Sequence, residues 1–154
     1  MKKLALTACL VLAGLIASPA LAATTDNNFN VTVNLTSACL VNTAATALNF
    51  GAYTAFGSAA TPAPTTSITF KCTRGLTISG VAFDTGAGAG VVAGLNYGMT
   101  VGTVANAAGT AATAAVAGTA DVLTYVVTGS MLAGQAGAGA GGAASSARVL
   151  TITY

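Results

Sequence analysis

From Asn28 to the C-terminus the chain is a succession of short runs rich in Val, Ile and Thr, alternating or wholly apolar, each broken by turn-forming residues. A two-residue period places successive side chains on opposite faces of an extended segment, whereas a helix needs apolar residues three and four apart, backed by a polar face. That face is missing, because the whole chain has only five Lys and Arg and three Asp and Glu. The runs predict strands near 28–36, 38–41, 46–50, 66–72, 76–83, 95–101, 121–128 and 147–154, and hence an all-β sandwich. Ala59 to Pro64 reads as a loop, since its two prolines lack a ladder donor and hold their neighbours extended. The Ala, Gly and Thr-rich stretches 86–94, 105–120 and 133–147 are expected to be loops, with 110–117 offering a further short strand.

The start of the chain is of another kind. Lys2 and Lys3 precede an apolar run from Leu4 to Ala17, then Ser18, Pro19 and the small-residue site Ala20-Leu21-Ala22. This reads as a secretory signal peptide over residues 1–22, cleaved after Ala22, with an exported product. Leu6-Thr7-Ala8-Cys9 has the look of a lipoprotein box, but the apolar core runs well past Cys9, which argues against a lipid anchor there. No later stretch is long and apolar enough for a helical membrane span.

Directly behind the signal, Phe29, Val31, Val33 and Leu35 alternate with Asn30, Thr32 and Asn34. All four apolar side chains fall on one face, and such a strand needs a groove. The groove can be its own, if this is the first strand of a self-contained sandwich. It can equally belong to another molecule, because no other expected element of the exported chain precedes the strand.

Once Lys2 and Lys3 are removed, Lys71, Arg74 and Arg148 face Asp26, Asp84 and Asp121, and the net charge is zero. A chain without basic excess has no electrostatic footprint for nucleic acid or an anionic bilayer, and near-zero charge favours self-association. Cys39 and Cys72 remain, an even count in an oxidising compartment, and the reading is an internal disulfide in preference to intermolecular bridges. Closing a loop of about 34 residues stabilises a fold by roughly 3 to 4 kcal/mol in the chain-entropy account. With no His and two thiols there are no ligands for a zinc site, and no cofactor is implied. Without His or Glu, and with three scattered Asp, the chain has no paired carboxylates and no base beside a nucleophile, so an enzyme acting on a small-molecule substrate is not expected. Gly86-Ala87-Gly88-Ala89-Gly90 lacks the Lys-Ser/Thr ending of a phosphate loop. Asp84 and Arg74-Gly75 read as turn residues.

Several motifs in order carry a resemblance: Phe29-Asn30-Val31-Thr32-Val33-Asn34-Leu35, Thr36-Ser37-Ala38-Cys39, Leu48-Asn49-Phe50-Gly51, Ser67-Ile68-Thr69-Phe70-Lys71-Cys72, Val122-Leu123-Thr124-Tyr125 and Arg148-Val149-Leu150-Thr151-Ile152-Thr153-Tyr154. The chain resembles the spore coat protein U type, pilin subunits of the archaic chaperone-usher pathway. It departs from that pattern where Gly141 to Ala147 replaces the Gly-x-Tyr-x-Asp turn that commonly leads into the last strand. The resemblance implies an incomplete immunoglobulin-like β-sandwich, completed by a donor strand from a neighbouring subunit. Residues 23–36 would then be the donor, with Phe29, Val31, Val33 and Leu35 as its inserted face. Residues 37–154 would be the pilin domain, with Val149, Leu150, Ile152 and Tyr154 on the strand flanking the empty slot. Implied partners are identical or related pilin subunits, a periplasmic chaperone and an outer-membrane usher, and the implied role is a cell-surface fibre in adhesion or biofilm. The alternative is a secreted or outer-membrane β protein that does not polymerise, since Leu150, Ile152 and Tyr154 also suit the last strand of a barrel.

Overall fold

In the computed structural model residues 28–59, 63–138 and 142–154 are described. The expected signal peptide, residues 23–27 of the expected donor and the middle of the Ala59–Pro64 loop lie outside them. The chain divides into two units between Asn34 and Leu35, and all the strands belong to the second.

Alternation decides which side chains form the core. In strand β2 (Thr65–Cys72) the inward set is Thr66, Ile68, Phe70 and Cys72, and in β6 (Asp121–Met131) it is Leu123, Tyr125, Val127, Gly129 and Met131. The intervening Thr, Ser and Lys side chains of β2 face away, as a half-buried antiparallel strand requires. β2 pairs with β6 in full register, Thr65 opposite Thr128 and Cys72 opposite Asp121. On the far side of β6 lies β5 (Leu95–Ala107), whose Tyr97, Met99 and Val101 join the same core. A register shift between Thr103 and Ala105 interrupts this pairing. Short strands close the edges: β1 (Cys39–Thr43) beside β2, and β4 (Gly90–Val92) beside β5.

The resulting sheet has five antiparallel strands in the order β1-β2-β6-β5-β4. A second sheet contains β3 (Gly80–Phe83) and β7 (Leu150–Thr153), also antiparallel. Val81, Phe83, Leu150 and Ile152 of this pair pack onto the inner face of the larger sheet. Phe70 meets Tyr125 edge-on at 6.0 Å between ring centroids. The architecture is all-β and consistent with an immunoglobulin-like sandwich, in which the second sheet has two strands among the described residues.

A disulfide joins Cys39 to Cys72 across the β1–β2 pair, so the two thiols left after the expected cleavage bond to each other. The turn behind Cys72 is closed by Leu76 N–H donating to Thr73 C=O, and Asp121 accepts from the amides of Gly75 and Gly109.

Several expected boundaries move, each for a local reason. Residues 28–38 form no strand, because alternation fixes a face but a ladder needs a partner. The expected strand 46–50 likewise has no ladder, and 76–83 shortens to Gly80–Phe83. Expected loop 86–94 contains a 3-10 turn at Gly86–Gly88 and strand β4, whose Gly90 is covered by the ring of Tyr97 across the pair. Residues 105–107 extend β5, and β6 continues past 128 to Met131. Residues 110–117 are not a strand. They form a loop held by Thr110 to Thr119 and Thr113 to Val116 hydrogen bonds. The final strand is shorter than 147–154, leaving Val149 and Tyr154 just outside β7.

Candidate functional site: an open groove beside the last strand

Among the described residues β7 has a hydrogen-bonded neighbour on one edge. Its pairing with β3 runs from Leu150 opposite Phe83 to Thr153 opposite Gly80, extended by Ser79 N–H to Thr153 C=O and Asp84 N–H to Val149 C=O. Among the described residues no strand pairs with the other edge. Backbone N–H and C=O groups along such an edge are templates for strand addition.

Lining one cavity with the start of β7 is a second stretch without a ladder. After β1 the chain continues through residues 45–53 without joining either sheet. Its position is set by side chains: the Thr46 hydroxyl bonds that of Thr66 at 3.0 Å, the Phe50 ring lies 5.9 Å from that of Tyr97, and the Tyr53 hydroxyl donates to Leu132 C=O at 2.9 Å. Gly129 is what allows the approach. A Cβ there would come within 2.7 Å of the Phe50 ring and 2.8 Å of Leu48, so the bare backbone of β6 is the surface on which this wall rests.

Between the wall at 45–53 and the start of β7 at Val149 and Leu150 lies a cavity of about 980 Å³. Its floor is the inner face of the large sheet, with Ile68, Tyr97, Met99, Val127 and Met131 among the lining residues. The site is therefore a trough with a largely apolar floor, bounded by the unladdered stretch 45–53, by residues 142–146 and by the start of β7. An extended chain with apolar residues at every second position satisfies both the floor and the sides.

One charged group guards the start of β7. Arg148, with its side chain 12% exposed, donates from Nε to Asp84 Oδ1 at 2.8 Å, from Nη2 to Thr85 C=O at 2.7 Å, and from Nη1 to Ala89 C=O at 3.1 Å and the Tyr97 hydroxyl at 3.2 Å. Its guanidinium carbon lies 5.9 Å from the Tyr97 ring centroid. Tyr97 in turn donates to Ser146 Oγ at 3.1 Å. The hydrogen bond from Arg148 holds the Asp84 carboxyl below its ordinary value, against the opposing effect of burial, with the amides of Thr85 and Val149 adding to it. Tyr97 and Asp84 push Arg148 further up. The cluster fixes where β7 begins.

The sequence-derived site residues occupy two places. Phe29, Val31, Val33 and Leu35 are 83, 87, 90 and 73% exposed, outside any strand. Leu150 and Ile152 lie in β7 and pack on the core, and Val149 and Leu150 line the trough, whereas Tyr154 is exposed beyond the strand's end. Sequence reasoning placed a strand at 46–50 and named Leu48-Asn49-Phe50-Gly51 as a motif without giving the stretch a part in a groove, and it did not single out Gly129 or the cluster of Arg148 with Asp84 and Tyr97. The wall's signal is Leu48-Asn49-Phe50-Gly51, apolar at positions 48 and 50. Arg148 had a weaker one, as the one cation within the expected final strand 147–154.

Residues 25–93 match the family model of the Spore Coat Protein U domain, the family that the motifs resemble. It is a family of chaperone-usher pilus-type proteins, structural and not enzymatic, and the match supports a structural, fimbrial role and a place in a fibre at the cell surface. No curated protein and no solved structure matches the chain. No helix of the described residues is long and apolar enough to cross a membrane.

Proposed function

We propose that the chain is a shaft subunit of a chaperone-usher fibre and polymerises by donor-strand complementation. Residues 23–35 of one copy enter the trough of the next, with Phe29, Val31, Val33 and Leu35 toward its floor and their backbone pairing with β7. The observation that carries this reading is the pair of unladdered backbones, 45–53 and the free edge of β7, bounding a trough with a largely apolar floor. Strand addition of this kind is the known mode of chaperone–pilin complexes. Before assembly a periplasmic chaperone covers the groove, and an outer-membrane usher exchanges it for the next subunit. The assembled fibre serves adhesion or biofilm formation.

Burying four apolar side chains contributes roughly 6 to 12 kcal/mol at about 1.5 to 3 kcal/mol each, an upper bound because the unfolded reference is not fully extended. That rivals the stability of an ordinary domain, roughly 5 to 15 kcal/mol. Each copy gives one strand and receives one, so the contact is head-to-tail and propagates into a filament. The test is to replace Val31 and Val33 by Asp in the full-length chain, expressed with its chaperone and usher, and to examine surface material by electron microscopy. Loss of fibres is expected, and undiminished fibres would overturn the reading.

A further inference from the structure

Two large apolar side chains are held out into solvent by a rigid support. Phe56 is 77% exposed and Leu132 is 68% exposed. Phe56 also has φ 62°, a left-handed conformation that a bulky aromatic residue rarely adopts. The turn at 53–57 is closed by Gly57 N–H to Thr54 C=O at 2.9 Å. It is tied to 132–135 by Phe56 N–H to Gln135 C=O at 2.8 Å, Gly134 N–H to Gly57 C=O at 2.9 Å, and the Tyr53 hydroxyl, which donates to Leu132 C=O and accepts from Gln135 N–H. The Gln135 side chain donates to Leu132 C=O at 3.1 Å and Asn96 C=O at 2.9 Å, and accepts from Asn96 N–H. Strain and a full hydrogen-bond network that keep apolar groups exposed mark a surface meant for contact.

The position of that surface identifies its occupant. Tyr53 and Ala55 line the groove, and Leu132 follows Met131 at the end of β6, so the two side chains belong to the groove's Met131 end. The root of the leading segment is at the other end, where Ala38 exchanges backbone and hydroxyl bonds with Thr73, next to Cys72 and its pair Asp121. The eleven residues of β6 separate these ends, about 35 Å at the rise of a strand. If a neighbour's segment came in at the Asp121 end, each copy would have its root and its receiving mouth at the same end, and the chain of copies would stop. Reception at the Met131 end puts them at opposite ends, as an open filament requires. β7 starts where Arg148 meets Tyr97, opposite Met131, so the inserted strand then runs antiparallel to it. Only Thr36, Ser37 and Ala38 separate Leu35 from the disulfide at Cys39. That leash spans at most about 14 Å, which brings the base of the incoming copy to the mouth of the groove.

We propose that Phe56 and Leu132 form the seat on which the base of the next copy packs, beside the mouth at which Leu35 of that copy, the last apolar residue of its alternation, enters the groove. The proposal rests on the donor-strand reading and adds to it a second contact outside the groove. Its test uses full-length chains exported with chaperone and usher. Phe56→Asn keeps a residue that tolerates positive φ, and it is combined with Leu132→Asn. Fibres of the double variant are expected to form but to release subunits in denaturant at least about tenfold faster than wild type. Release within twofold of the wild-type rate overturns the seat. So does unchanged release with lost attachment of the fibres, which would place the patch against a foreign surface. Should the double variant fail to fold, Phe56→Cys with Leu35→Cys is treated with a short thiol cross-linker. A ladder of joined subunits is expected from fibres, and fibres without a ladder overturn the seat. Fibres formed by the Val31→Asp, Val33→Asp variant would instead refute the donor reading, so the two failures are told apart.

Discussion

Replacing Arg148 by Ala removes four hydrogen bonds that tie the chain before β7 to Asp84, Thr85, Ala89 and Tyr97. Because the guanidinium is largely enclosed while Asp84 is more open, the expected loss is modest, a fall of a few degrees in the thermal midpoint. Lys should not restore it, since one ammonium cannot fill the planar fork that reaches four acceptors. Calorimetry of the three proteins checks both statements. The acidic side of the fold depends on two carboxyls. Arg148 lowers Asp84, and the amides of Gly109 and Gly75 lower Asp121. A carboxyl lowered in the folded state stabilises above its unfolded value, near 3.9, and that contribution disappears as pH falls through the folded value. Stability is therefore expected to stay flat from about pH 5 to 8, the chain having no His, and to fall below about pH 4. Thermal midpoints against pH should show this, and Asp84→Asn with Asp121→Asn should flatten the acidic slope.

Gly129→Val is the informative change among the elements. The new side chain would displace Leu48 and Phe50 and push the wall at 45–53 off β6. Fibre yield is expected to drop further than the thermal midpoint of the isolated subunit, a split that electron microscopy and calorimetry on one preparation would reveal. Reduction of Cys39–Cys72, or its replacement by Ser at both positions, releases β1 from β2 and should lower unfolding stability by roughly 3 to 4 kcal/mol in the chain-entropy account, read from urea midpoints. Elements were legible where they bury one face. The inward set of β2 and β6 follows directly from alternation at 66–72 and 123–127. Strand β4 was not legible, because Gly90 becomes a strand residue only through the Tyr97 ring above it, a contact between partners that periodicity does not encode. The wall at 45–53 shows the converse. Leu48 and Phe50 alternate like a strand, yet the backbone finds no ladder partner among the described residues. Gly129 could not be recognised in the sequence either, since its role lies in the empty space it leaves for Phe50.

For the whole molecule, an all-β class and an internal disulfide were readable from β-branched runs and an even cysteine count, while the groove was readable only through the family resemblance. A gap between two segments far apart in sequence leaves no local signature. The central claim is that an extended segment of another copy fills this gap. The most direct measurement is a structure of the assembled fibre at side-chain resolution. Residues 29–35 of one copy should lie between β7 and 45–53 of the next, antiparallel to β7, with Phe29, Val31, Val33 and Leu35 turned toward Val127 and Met131. A fibre in which the trough is filled by the copy's own chain, or in which residues 29–35 lie outside every groove, would contradict the account.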